Sequence, residues 1–361
     1  MTPPLDAPHR RFDGPRRRRA SGVLALLLAA VMVALTACGR QDGAQASGDA
    51  RPEHPMRLVL AHSLSSGHVT SKALVDFAEQ VKKDSGGRIV VELYPDGQLG
   101  TEREQLEQLQ AGVLDMTRVS APGLATYADG YHAFGLPFVF SDEKHYHAAM
   151  DSPGMHEFFR STGDDGFIGL TWYTSGARSF YTVDRPIRRP EDLRGLKIRV
   201  QDMRSQTEMM RALGGSGVVM PLGDVYTALQ TGIVDGAESN ETALTQSKHG
   251  EVAKVFSEDE HTMIPDMLVM STRTWNRLSP QDQQLVVDSA DASTQRHKKA
   301  WAEEVEKARS EARKEGVTFV ADVDREAFRQ ATASLNEQFA GEYPGVRRVL
   351  DIISSTRQEQ R

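Results

Sequence analysis

Residues 56–120 read MRLVLAHSLSSGHVTSKALVDFAEQVKKDSGGRIVVELYPDGQLGTEREQLEQLQAGVLDMTRVS, and two hydrophobic periods alternate along them. Met56 to Ala61 is an apolar run of strand length. Leu74, Phe77, Ala78 and Val81 recur at i, i+3, i+4 and i+7, the spacing that lines one helix face. Gly86-Gly87 stops that helix. Ile89 to Tyr94 is strand-like, and Pro95-Asp96-Gly97 turns the chain. Thr101-Glu102-Arg103-Glu104 fits a capping box and opens a helix to about Ala111. Asp115 to Ser120 is the next strand. This β-α-β-α-β order predicts a parallel sheet in an α/β protein.

The pattern continues toward the C-terminus. Phe167 to Tyr173, Arg178 to Thr182 and Lys197 to Val200 read as strands, with helices expected at 205–213 and 222–231. Ser279-Pro280-Gln281-Asp282 places a cap, a first-turn proline and an early acid in order. The helix they open can run to Lys314, with Gly316 beyond it. That is long for a globular helix, and it is expected to brace two lobes. No internal repeat stands out.

Toward the N-terminus, Arg16 to Arg19 form a basic cluster, and Val23 to Leu35 is an unbroken apolar run. The run is short for a membrane span and suits a secretory signal. It ends in Leu35-Thr36-Ala37-Cys38, which resembles the lipobox of bacterial lipoproteins and makes Cys38 the lipidation site. Residues 1–37 are read as the signal peptide and 38–55 as a flexible tether. Removing 1–37 takes away six arginines and two aspartates, moving the net charge from −7 to −11. That balance excludes general nucleic-acid binding. A single cysteine in 361 residues excludes an internal disulfide scaffold and a cysteine-cluster metal site.

No P-loop, G-x-G-x-x-G or G-x-S-x-G is present. His156-Glu157-Phe158-Phe159-Arg160 begins like a zinc-protease motif but has arginine at the second histidine position. His145 and His147 are two apart, so on a helix they face apart. No catalytic residue, metal or cofactor is expected.

The stretch 171–241 carries the most information. Ser175-Gly176-Ala177-Arg178-Ser179-Phe180 is followed by Leu193-Arg194-Gly195-Leu196-Lys197-Ile198-Arg199-Val200. Tyr226-Thr227-Ala228-Leu229-Gln230-Thr231-Gly232 and Val234-Asp235-Gly236-Ala237-Glu238-Ser239-Asn240 come next. With Gln98-Leu99-Gly100, Leu136-Pro137-Phe138 and Leu278-Ser279-Pro280, their order over residues 56–340 resembles the DctP-type solute-binding proteins of TRAP transporters. The resemblance implies a two-lobed periplasmic binding protein fold with hinge-linked lobes and a ligand cleft. Lobe I is expected at 56–175 plus about 264–302, lobe II at 176–263 plus about 303–350, and a polar tail at 351–361. It also implies a periplasmic, membrane-anchored lipoprotein that hands an organic acid to a TRAP permease. The best-suited ligand is a uronate or related sugar acid. The alternatives are a C4-dicarboxylate, an exported enzyme acting on uronate-containing saccharides, or a ligand-sensing lipoprotein.

By the same resemblance, Arg199 occupies the place of the family's carboxylate-clamping arginine. The alternation of Leu196, Ile198 and Val200 puts Lys197 and Arg199 on one strand face, and a guanidinium there offers a fork that matches a carboxylate. Arg178 matches a second arginine that the family uses on its ligand. Ser239 stands where the family often has asparagine, with Asn240 next. Either can reach a ligand, and both are good helix N-caps. His68, Arg103, Ser120 and Asp266 lie near strand ends or helix starts, where open α/β sheets place ligands. Trp172 and Tyr173 are candidates for an apolar wall or for the core. The two arginines focus an attractive field in the cleft. Distant acids are screened beyond about 8 Å at physiological ionic strength.

Overall fold

The computed structural model describes residues 50–358. The expected signal peptide, Cys38, most of the expected tether and residues 359–361 lie outside the described residues. The opening pattern folds as β1 (Met56–His62), α1 (Val69–Asp84), β2 (Ile89–Tyr94), α2 (Glu102–Ala111) and β3 (Met116–Ser120). Leu74, Phe77 and Val81 are fully buried, as their spacing requires. Thr101 and Glu104 close both halves of the capping box: the Thr101 N–H donates to Glu104 Oε2 at 2.7 Å and the Glu104 N–H donates to Thr101 Oγ1 at 3.3 Å. At the other end Gly112, at φ +73°, ends α2 in the left-handed conformation that glycine adopts without strain.

Further strands are β4 (Phe167–Tyr173), β5 (Arg178–Thr182), β6 (Lys197–Val200), β7 (Ser216–Val219), β8 (Gly236–Ser239), β9 (Val255–Thr262), β10 (Asp266–Ser271) and β11 (Thr318–Val320). They form two sheets. The first lobe is built on a five-stranded sheet of order β2-β1-β3-β10-β4. The second is built on a six-stranded sheet of order β11-β9-β5-β8-β6-β7. β1 pairs parallel with β2 and β3, while β10 runs antiparallel between β3 and β4. The chain crosses between the sheets at 174–177 and returns at 263–265.

The other labelled helices are α3 (Glu143–Met150), α4 (Pro153–Arg160), α5 (Arg204–Ala212), α6 (Val225–Gln230), α7 (Pro280–Lys314), α8 (Arg325–Glu342) and α9 (Pro344–Gln358). α7 has 35 residues, a span of about 50 Å at 1.5 Å per residue. Its Val286, Val287 and Ala290 belong to the apolar core beneath the first sheet, and its Ala312 to the core beneath the second. Trp301, between them, is buried beside Gly176 at the crossover. A Cβ on Gly176 would stand 3.1 Å from Trp301 Nε1. The long helix therefore braces both lobes.

Two expectations are corrected. Residues 351–358 are not a polar tail, because α9 continues through them and buries Val346, Val349 and Ile353. His145 Nε2 in α3 donates to the Ile353 carbonyl at 2.8 Å, and Arg348 pairs with Glu157 of α4 at 2.9 Å, so this last helix rests on first-lobe elements. There is also a short internal repeat. Leu109-Gln110-Ala111-Gly112-Val113-Leu114-Asp115 and Leu229-Gln230-Thr231-Gly232-Ile233-Val234-Asp235 take the same turn, one per lobe. Gly112 and Gly232 have φ of +73° and +71°. Asp115 Oδ2 accepts from the Val59 N–H at 2.9 Å, and Asp235 Oδ2 accepts from the Lys197 N–H at 2.7 Å. Each aspartate ties the start of a central strand to its neighbour.

Candidate functional site

A cavity of about 760 Å³ lies between the lobes, and eight of the residues nominated from sequence line it: His68, Arg103, Ser120 and Asp266 from the first lobe, Arg178, Arg199, Ser239 and Asn240 from the second. Most sit at strand ends or helix starts. Arg199, in the middle of β6, points its guanidinium at the same space.

Arg199 is 6% exposed. Its Nε and Nη2 donate to the Met220 carbonyl at 3.0 and 2.9 Å. Among the described residues no carboxylate comes within ion-pair distance of it. Burial pulls its pKa below the usual arginine value, with Glu238 opposing from farther off. This is a desolvated cation with no directly paired carboxylate among the described residues.

Arg178 is the opposite case. Its Nε donates to Glu238 Oε2 at 2.6 Å and its Nη2 to Glu238 Oε1 at 2.9 Å and to the Glu238 carbonyl at 2.7 Å. Burial would raise the Glu238 carboxyl, but Arg178 and then His261 outweigh it and hold its pKa at about 2. His261 is stacked on Phe180 with ring centroids 4.5 Å apart, and its Nδ1 lies 2.6 Å from Asp259 Oδ2. Burial would lower its pKa, but Asp259 and Glu238 push it up to about 9. The row Asp259–His261–Glu238–Arg178 is thus a charge-balanced chain under the second-lobe wall.

Of Asn240 and Ser239, Asn240 is the one whose side chain caps a turn. Asn240 Oδ1 accepts from the Thr242 N–H at 3.0 Å and the Thr242 hydroxyl at 2.7 Å, so Asn240 caps the turn at 242–245 and keeps its amide nitrogen for the cleft. His68 Nδ1 accepts from the Thr70 N–H at 3.1 Å, making His68 the cap of α1. Ser120 Oγ accepts from Gln201 Nε2 at 2.8 Å, and Arg103 pairs with Asp202 at 3.3 Å, so both contacts cross from one lobe to the other. Trp172 and Tyr173 are not cleft walls. They are fully buried, and their polar tips are satisfied by Asp151 at 3.2 Å and Ser293 at 2.7 Å.

Sequence reading missed Arg118, Glu102 and Gln201. Arg118 sits in the middle of β3, pairs with Asp266, and donates through Nη1 to Glu102 Oε1 at 2.8 Å. An arginine in the middle of the Met116–Ser120 strand was its one visible signal. Among the described residues no group of three His, Cys, Asp or Glu is placed to hold a metal ion.

The buried histidines set a pH optimum for stability. Burial, aided by Arg118, lowers His62 to about 4 and His297 to about 3; burial, aided by Arg199, lowers His249 to about 4. In the unfolded chain each takes its proton near the ordinary value of 6.5, so their stabilisation is whole above that pH and is lost as the pH falls toward 3–4. His261 has the reverse sign: its contribution is whole below 6.5 and is lost as the pH rises through about 9. Stability measured by urea unfolding is expected to peak near pH 6.5 and to fall on the order of several kcal/mol by pH 4, at about 1.4 kcal/mol per pH unit for each group. A flat profile between pH 4 and 6.5 would contradict the buried neutral state of these rings.

The sequence profile of DctP, the bacterial extracellular solute-binding protein family 7, matches residues 60–342. An uncharacterized Salmonella typhimurium protein, YiiZ, is 44% identical over 275 residues, covering 76% of this chain and 84% of that one. The crystal structure of a TRAP periplasmic solute-binding protein from Anaerococcus prevotii, with bound α/β D-glucuronate, superposes with a TM-score of 0.81 at 36% identity, covering 84% of this chain and 98% of that chain. One from Bradyrhizobium, in complex with α/β-D-galacturonate, gives 0.80 at 36% identity, covering 82% and 99%. Such proteins bind solutes for transport and do no chemistry on them, so an exported hydrolase is not favoured. No described helix is long and apolar enough to cross a membrane. With its two lobes and an arginine-lined cleft between them, the chain belongs to the DctP family of periplasmic solute-binding proteins.

Proposed function

We propose that this protein captures a hexuronate by setting its carboxylate on Arg199, with the hydroxyls read by the rest of the cleft, and delivers it to a TRAP permease. The observation that carries this reading is the buried Arg199 guanidinium, which faces a cavity of about 760 Å³ without a carboxylate of its own. A hexuronate supplies the missing anion. Two charge-assisted hydrogen bonds, at about 1.5–3 kcal/mol each, account for roughly half the free energy of a micromolar complex. The glucuronate and galacturonate held by the Anaerococcus and Bradyrhizobium proteins support the ligand class.

Thermal shift against paired acids and neutral sugars tests it. A ligand at 100 times its Kd adds about 2.7 kcal/mol of stability. Galacturonate or glucuronate is expected to raise the melting temperature by several degrees, and galactose or glucose to leave it unchanged. Equal shifts with acid and neutral sugar would defeat the carboxylate assignment.

Lipid anchoring through Cys38 keeps the captured ligand near the membrane. In cells, Cys38→Ser is expected to move the protein from the membrane fraction to the soluble periplasmic fraction without changing its affinity for the acid. Retention in the membrane fraction would reject Cys38 as the anchor.

A further inference from the structure

The buried charges around the cleft sort by lobe. Behind the second-lobe wall, Arg178 and Arg199 face one carboxylate, Glu238, so that side carries one positive charge in excess. On the first-lobe wall, half-buried Glu102 and buried Asp266 share one buried arginine, Arg118, so this cluster carries one negative charge in excess. Glu102 is fixed: Oε1 accepts from Arg118 Nη1 at 2.8 Å and from the Ser63 hydroxyl at 3.1 Å, and Oε2 accepts from the Ser120 N–H at 3.2 Å. Asp266 is buried, opens β10 opposite Ser120 and pairs with Arg118 through Oδ1. The cavity is therefore polarised between its walls, with an anion receptor on the second lobe and hydrogen-bond acceptors on the first.

We propose that the Glu102–Arg118–Asp266 cluster makes the cleft selective for acids with one carboxylate, accepting hydroxyl protons at the ligand's far end and rejecting a second carboxylate there. A hydroxyl donates to a carboxylate oxygen, so a polyhydroxylated monoacid satisfies both walls. A diacid of the same carbon skeleton brings a second anion against two carboxylates that share a single cation, and like charges brought together in a desolvated site are strongly disfavoured. Arg118 does not relieve this, because both of its ion pairs are already made. The inference rests on the uronate reading of the same site and adds to it the rule by which the site chooses among sugar acids.

The test compares galacturonate with galactarate, and glucuronate with glucarate, by calorimetry on the wild type and on two isosteric variants, Asp266→Asn and Glu102→Gln. In the wild type each diacid is expected to bind on the order of 100-fold more weakly than its monoacid. In either variant the ratio is expected to shrink by about tenfold or more, because one of the repelling charges is gone. Melting curves identify a variant that fails to fold, and the other then decides. Equal affinity of the wild type for monoacid and diacid, or a ratio unchanged in the folded variants, overturns the selectivity cluster and leaves uronate capture standing. If no uronate binds the folded wild type, uronate capture itself fails and this proposal fails with it.

Discussion

Arg199→Ala is expected to weaken uronate binding by at least about a hundredfold while leaving the melting temperature of the unliganded protein unchanged or higher. The loss follows from two charge-assisted hydrogen bonds worth about 1.5–3 kcal/mol each, where about 1.4 kcal/mol is a factor of ten in affinity. The stability result has an independent cause. Arg199 is a buried cation whose only hydrogen-bond partner among the described residues is the Met220 carbonyl, and burial already presses it toward deprotonation. Truncation removes a desolvated charge and opens no sealed core, because the side chain borders the cleft. Arg199→Lys should fall between wild type and alanine, since an ammonium keeps the charge but loses the planar fork. Calorimetry and melting curves together decide it. An unchanged Kd in the alanine variant would end the assignment.

The second large effect has the opposite sign on stability. Glu238→Ala is expected to destabilise the unliganded protein by about 3–5 kcal/mol, the cost of breaking a buried ion pair from one side. In a protein of this size that is a fall of roughly 5–10 °C in melting temperature. Two cations lose their partner together: the Arg178 fork, and His261, whose Nε2 lies 3.6 Å from Glu238 Oε2. With Glu238 gone, the His261 titration, followed by NMR, should move down from about 9, because one of the two carboxylates that raise it has been removed. Glu238→Gln keeps the shape and removes only the charge, and should give a smaller loss of the same sign. A melting temperature within a degree of wild type for Glu238→Ala would show that Arg178 finds another partner. Arg178 and Arg199 border the same cleft, so the pair of experiments separates a structural arginine from a binding one.

The difference between those arginines marks the limit of what sequence can say. Their positions within the family pattern identified both, but nothing in either local stretch tells that Arg178 is answered by a residue 60 positions away. The eventual partner depends on how β5 and β8 pair once the chain has crossed between sheets. The same holds for Arg118, which meets Asp266 only because β10 returns from the second lobe to lie beside β3. Trp172 and Tyr173 were equally suited to a ligand wall or a core, and the packing of α7 across β4 put them in the core. The buried face of α9 escaped notice because its environment is supplied by α3 and α4, some 200 residues earlier in the chain.

What the sequence determined by itself is everything set by spacing within a few residues: the helix face of Leu74, Phe77 and Val81, the capping box of Thr101 and Glu104, the full extent of Pro280 to Lys314, and the strand that carries Arg199. Those features depend on hydrophobic period and on hydrogen bonds between near neighbours. Only the tertiary structure decided which buried charges are paired, that Asn240 rather than Ser239 caps the turn at 242–245, and that among the described residues Arg199 alone of the cleft's buried arginines has no carboxylate within ion-pair distance. The physical reason is range. A cap or a helix face is satisfied within one turn of chain, whereas a buried ion is satisfied only by a partner that the crossing of two sheets brings to it.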